Sequence, residues 1–91
     1  MERGICIVVI AHNEQKLVWQ QLDRLASFRQ PDGCHVVIVD NGSQDGLAQS
    51  LKEQNEIDYI LCEGGIENYA AILNTVVSEF AAKEDLLVLP P

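Results

Sequence analysis

Val8–Glu14 reads VVIAHNE, and the break inside it sets the fold. Ile5–Ile10 is an unbroken apolar run rich in β-branched residues, and it empties onto His12, Asn13 and Glu14. Val36–Gly46, VVIVDNGSQDG, repeats the shape: an apolar run that ends on Asp40, Asn41, Gly42 and Ser43. Apolar runs without a polar alternation are the composition of strands covered on both faces, as in parallel sheets. Two such strands ending in polar clusters point to one shared site.

Outward from these runs the pattern alternates. Glu14–Phe28 carries apolar residues at helical spacing, with Val18, Leu22, Leu25 and Ala26 on one stripe and Leu17 beside it. Asn13 is a good N-cap for this helix, and Glu14 suits its positive end. Gln30-Pro31-Asp32-Gly33 reads as a turn. After the second strand, Leu47, Ala48 and Leu51 mark a shorter helix capped at Ser43, and Ile57–Cys62 is a third strand. Asn68–Ala82 is a third helix with Ala70, Leu73, Val76, Val77 and Phe80 facing inward. Leu86–Leu89 is a fourth strand, stopped by Pro90-Pro91.

Strands joined by helical crossovers run parallel with right-handed connections. The β-α-β-α-β-α-β order therefore predicts a three-layer α/β, Rossmann-like parallel sheet of order 3-2-1-4, with strands near residues 4–10, 35–40, 57–62 and 85–89. Both polar clusters then lie at carboxyl ends of adjacent strands, on the rim where such sheets bind ligands.

The chain has 91 residues, 47% of them hydrophobic, which is enough for one domain with a real core. The formal net charge of −8 excludes nucleic acid and anionic membranes as ready partners. No apolar run approaches the ~18 residues of a membrane span. Glu2-Arg3 precedes too short an apolar stretch for a signal peptide. Cys6, Cys34 and Cys62 are odd in number and lack metal spacing, so they read as small buried hydrophobes in a reducing, cytoplasmic setting. The dinucleotide glycine fingerprint, the P-loop and the G-x-S-x-G elbow are absent. The acid cluster and late lysine of a phospho-receiver are absent too.

Taken in order, IVVIAHNE, VVIVDNGSQDG, NYAAILN and DLLVL resemble the N-terminal half of family 2 glycosyltransferases, the inverting GT-A fold. The resemblance covers nearly the whole chain. Its most specific element is the D-N-G-S-x-D-G run after the second strand. It implies a single nucleotide-sugar-binding domain over residues 1–91, truncated relative to the whole GT-A fold. By position, Ala11 lines a base pocket, His12 falls where an aromatic ring stacks near the base, and Asn13 and Glu14 open the first helix. Asp40 and Asn41 fall on the family's acidic pair. The second member of that pair accepts a hydrogen bond from a pyrimidine N–H, which an asparagine carbonyl also accepts. Gly42 gives the loop its backbone freedom.

The chain departs from the family in three places. Ile10-Ala11-His12 stands where the family has Pro-Thr-Tyr. Asn68 replaces a glycine, which an asparagine in the left-handed region can do. The Asp-X-Asp position is reached at Pro90-Pro91. The resemblance therefore assigns no catalytic residue and no metal ligand to this chain, and it implies a divalent metal (Mg or Mn) only for a complete enzyme. The implied partner is a UDP-, GDP- or dTDP-linked sugar. Self-association through the exposed fourth strand is a further expectation. Two other readings compete: a non-catalytic nucleotide-binding or protein-interaction module of the same fold, and an unrelated flavodoxin-like small-ligand domain. Trp19 and Tyr69 read as packing residues, and Asn74 as a residue that bonds back toward the first loop.

Overall fold

A computed structural model describes residues 4–27, 34–54, 57–62, 64–65, 68–82 and 84–91. The expected turn at 30–33 lies outside them. Seven elements alternate along the chain: β1 (Gly4–Ala11), α1 (Gln15–Ser27), β2 (Cys34–Asp40), α2 (Leu47–Lys52), β3 (Asp58–Leu61), α3 (Tyr69–Phe80) and β4 (Glu84–Leu89). The sheet has the order β3-β2-β1-β4, and all three pairings are parallel. This is the expected Rossmann-like α/β arrangement.

Parallel strands need a helix on each face, and the residues divide accordingly. Cys6, Val8, Val37 and Val39 pack beneath Ile72 and Val76 of α3. Val9, Ala11 and Ile38 pack beneath Val18 of α1 and Leu47 and Leu51 of α2. The apolar runs of β1 and β2 are thus consumed in both directions, which is why neither strand alternates.

Three packing expectations change. In α3, Ile72 and Val76 are the buried residues, whereas Ala70 is exposed and Val77, like Leu73 and Phe80, is only half-buried. The helix is rotated so that its β-branched residues meet the sheet. Tyr69, at its start, is 63% exposed and is not a packing residue. Of the three free cysteines only Cys6 is buried. In α1, Val18 is buried and Trp19 and Leu22 pack against the same cluster, while Leu17 is exposed. The side chain of Ala26 lies outside the described residues.

Register positions the rim. Ala11 pairs with Asp40 and Asp40 with Leu61, while the last β4 residue, Leu89, pairs with Val9. β1 and β2 therefore reach two residues past the end of β4. Among the described residues no helix is long and apolar enough to cross a membrane.

Candidate functional site

The carboxyl ends of β1 and β2 carry two loops that are laced together. The ladder continues one step past the strands, with Asn41 N–H donating to the Ala11 carbonyl at 2.7 Å. Asn13 N–H donates to Ser43 Oγ at 2.9 Å, and Gln44 N–H donates to Asn13 Oδ1 at 2.6 Å. Asp45 spans both helix starts: Oδ2 accepts from Gln15 N–H of α1 at 2.8 Å and Oδ1 from Leu47 N–H of α2 at 3.2 Å. One carboxylate thus satisfies first-turn amides of two helices and sits where both dipoles are positive.

These bonds correct both capping expectations. Asn13 does not cap α1; it adopts φ +55, a left-handed conformation that asparagine tolerates, and spends its side chain on the other loop. Ser43 does not cap α2 either. The N-cap is Gly46 at φ 90, without a side-chain cap bond, and the Ser43 hydroxyl serves Asn13. Asn68 does cap α3, accepting from Ala70 and Ala71 N–H. It does so in extended backbone at φ −88, not in the left-handed form open to its family counterpart. Asn74 is exposed and bonds to no described residue of the first loop.

The His12 ring is held on both edges. Nδ1 lies 2.8 Å from the Asn41 carbonyl, which can only accept, so Nδ1 carries the proton. Nε2 then accepts from Asn13 Nδ2 at 3.3 Å. What remains for a ligand is the face of the ring.

Asp40 is the one buried charged residue among those described, 3% exposed at the end of β2. Its Oδ1 accepts from Ser43 N–H at 2.9 Å, closing an Asx-type turn. Gly42 follows at φ +77, and a Cβ there would lie 2.7 Å from Gly65 N and 3.0 Å from Gly65 Cα. Only glycine lets the second loop approach the third this closely.

A cavity of about 460 Å³ opens beside this junction. His12, Asp40, Gly42, Ser43 and Gln44 form its rim; Ala48 and Lys52 of α2 form one wall; Leu61, Cys62 and Gly64 form the other. Of the residues singled out from sequence, His12, Asp40 and Gly42 line it. Ala11 is buried in the core under α1 and α2. Asn13 and Asn41 stand behind the wall as its bracing. The side chain of Glu14 also turns inward along its own loop, with Oε1 accepting from His12 N–H at 3.3 Å.

Lys52 was not foreseen as a site residue. Its signal was the i,i+4 spacing to Ala48 on the flank of the Leu47/Leu51 stripe, which turns both toward β3. Cys62 was missed as well. Burial, and then the Asp40 carboxylate, push its thiol above its ordinary pKa, so it stays protonated at neutral pH. On the opposite end of the sheet, burial raises Cys6 to about 11, with smaller pushes from Glu84, Asp58 and Cys34.

A second hollow of about 290 Å³ lies between β1 and β4, lined by Ile10, Glu14, Tyr69, Val88, Leu89 and the two prolines. The winding reverses here, yet the larger cavity lies on the β2–β3 side. A divalent metal would need a set of oxygen ligands. Pro90 and Pro91 carry no side-chain oxygen, and among the described residues no group of three His, Cys, Asp or Glu could hold an ion.

The model of one protein family, described as "Glycosyl transferase family 2", matches residues 6–88. Neither the curated proteins nor the solved structures contain a match.

Proposed function

Because the chain belongs to glycosyl transferase family 2, we propose that its cavity at the carboxyl ends of β1 and β2 holds the nucleotide of a nucleotide-sugar donor. The observation that carries this reading is the convergence of His12, Asp40 and Gly42 on one rim, braced by hydrogen bonds between the two loops. A ligand site works when its groups are held before the ligand arrives, since each side chain already ordered lowers the cost of binding. The His12 ring face offers stacking, the Asp40 carboxylate accepts an N–H, and Ala48 and Leu61 give the cavity an apolar lining.

The same residues supply binding without transfer. Inverting transfer needs a base to deprotonate the acceptor and positive charge to stabilise the departing diphosphate. Among the described residues the rim offers neither a carboxylate pair for a metal nor a cluster of cations. The reading is therefore that these 91 residues bind a nucleotide and move no sugar by themselves. Titration with UDP, GDP and dTDP, followed by amide chemical shifts, tests the first half. Shifts concentrated at residues 10–14 and 40–43 are expected, and their absence for all three nucleotides removes the reading. Sugar release or transfer by the chain with added manganese would overturn the second half.

A further inference from the structure

We propose that Asn13 is the positioning residue of the nucleotide site: it fixes the His12 imidazole in one orientation and one tautomer, with the proton on Nδ1, so that a base meets the face of the ring and neither nitrogen. The proposal rests on the nucleotide reading above and adds to it the residue that prepares the ring.

The hydrogen bonds around His12 form a chain whose direction cannot reverse. It begins at Gln44 N–H, which can only donate, and reaches Asn13 Oδ1 at 2.6 Å. That bond fixes which end of the Asn13 amide is the oxygen. The end 3.3 Å from His12 Nε2 is therefore the NH2 group, which must donate. Nε2 accepts through its lone pair, and the ring proton sits on Nδ1. The chain ends at the Asn41 carbonyl, 2.8 Å from Nδ1, which can only accept. Backbone groups thus set the polarity at both ends, and the two side chains between them have one consistent arrangement. Moving the proton to Nε2 would set N–H against N–H at one end and a lone pair against a carbonyl oxygen at the other. Turning the ring over would put carbon at both positions and leave the carbonyl and the amide unpaired.

The chain also closes on itself. Asn41 and Gln44 belong to one loop, with Gly42 and Ser43 between them, and Asn13 N–H donates to the Ser43 hydroxyl at 2.9 Å. Asn13 holds this place at φ +55, a backbone that asparagine tolerates better than most side chains. His12 lines the cavity and Asn13 does not, so the effect of Asn13 on a ligand passes through the ring. Bases stack on aromatic faces, and a ring already ordered loses less freedom when one arrives.

Two readouts separate the ring from the loop. The first is the tautomer, read from the ring 15N shifts of His12 at about pH 8, where free imidazole is neutral; His12→Phe distinguishes its signals from those of His35. The second is the binding of uridine and UDP, followed by the amide shifts of the cavity. Asn13→Gly keeps the backbone conformation and removes the side chain. Asn13→Asp keeps an acceptor for Gln44 N–H but offers Nε2 no proton. The unmodified chain should show a protonated Nδ1 and a bare Nε2. Asn13→Asp should show a protonated Nε2, and Asn13→Gly a mixture dominated by the Nε2–H form that free histidine favours. Asn13→Gly should weaken uridine and UDP alike, by about threefold to tenfold, and should weaken neither further in a His12→Phe background. An Nε2–H ring in the unmodified chain overturns the proposal. So does an equal loss from Asn13→Gly with and without His12→Phe, which makes Asn13 a brace of the loop alone. A loss confined to UDP overturns it too, since the ring would then face a phosphate. Each of these leaves the nucleotide reading standing, whereas a cavity that neither uridine nor UDP perturbs removes that reading and this proposal together.

Discussion

β2 and β4 both flank β1, both are parallel to it, and both are apolar in sequence, yet they end differently. β2 is covered on each face, and its last four residues, Val37 to Asp40, are buried. Its outgoing loop is tied to that of β1 and leads into a cavity. β4 has one neighbour; Leu87 and Val88 are 47% and 48% exposed, and it stops two residues short of the rim. An apolar run marks a strand but does not say how many partners the strand has. Coverage decides whether the polar residues that follow are held in place, and only the β1–β2 side has that coverage.

The sharpest way to break this contrast is to substitute one side chain in each strand. Ile38→Ala leaves a cavity under α1 and α2 and should cost about 2–5 kcal/mol in urea denaturation. Val88→Lys should change stability by no more than about 0.5 kcal/mol. β4 has a strand on one side only, and edge strands invite pairing with another chain. Concentration-dependent association in sedimentation is therefore expected for the unmodified chain and should vanish in Val88→Lys. Equal losses for the two substitutions would remove the distinction between the strands.

A finer probe is the contact between loops. Gly42→Ala meets Gly65 backbone and carries a positive φ. It should therefore cost about 1–3 kcal/mol and displace the amide shifts of residues 64–65. Gly64→Ala has a similar φ of +75 but open space around the new Cβ, so only the smaller backbone cost of about 1 kcal/mol applies. If Gly64→Ala proves the worse of the two, the close approach is not what holds the loops.

The remaining probe is at Asp45. Asp45→Ala removes the carboxylate shared by the starts of α1 and α2, each cap being worth about 0.5–2 kcal/mol. Asp45→Asn should recover only part of the loss, because its single amide oxygen can accept from one of the two helix N–H groups and its NH2 cannot accept from the other. The readout is hydrogen exchange at Gln15 and Leu47, where faster exchange at both shows the shared cap and faster exchange at one refutes it.

Much of the architecture was legible before any coordinates. The runs at Ile5–Ile10 and Val36–Val39, separated by helical periods, dictate parallel strands, and right-handed crossovers leave few orders to choose from. Asp40 and His12 were readable as rim residues because strand ends in such sheets face the ligand. The inward face of α3 was misjudged, since Ala70 and Ile72 each fit a helical stripe and only the sheet beneath could pick Ile72. The caps were misassigned for a related reason. Asn13, Ser43 and Asp45 are all good local acceptors, and nothing in their own neighbourhoods says that each bonds across to the other loop or helix.

The sequence by itself determined the strands, the helices, their order and the rim on which the polar clusters sit, because these follow from short-range periodicity and from the chirality of the chain. Tertiary structure alone decided that His12 has no ring nitrogen left to offer, that Asp40 rather than Asn41 lines the cavity, and that Lys52 completes its wall. Those outcomes depend on hydrogen bonds and packing between segments about 30 or more residues apart in some cases, and no local pattern encodes a distance of that kind.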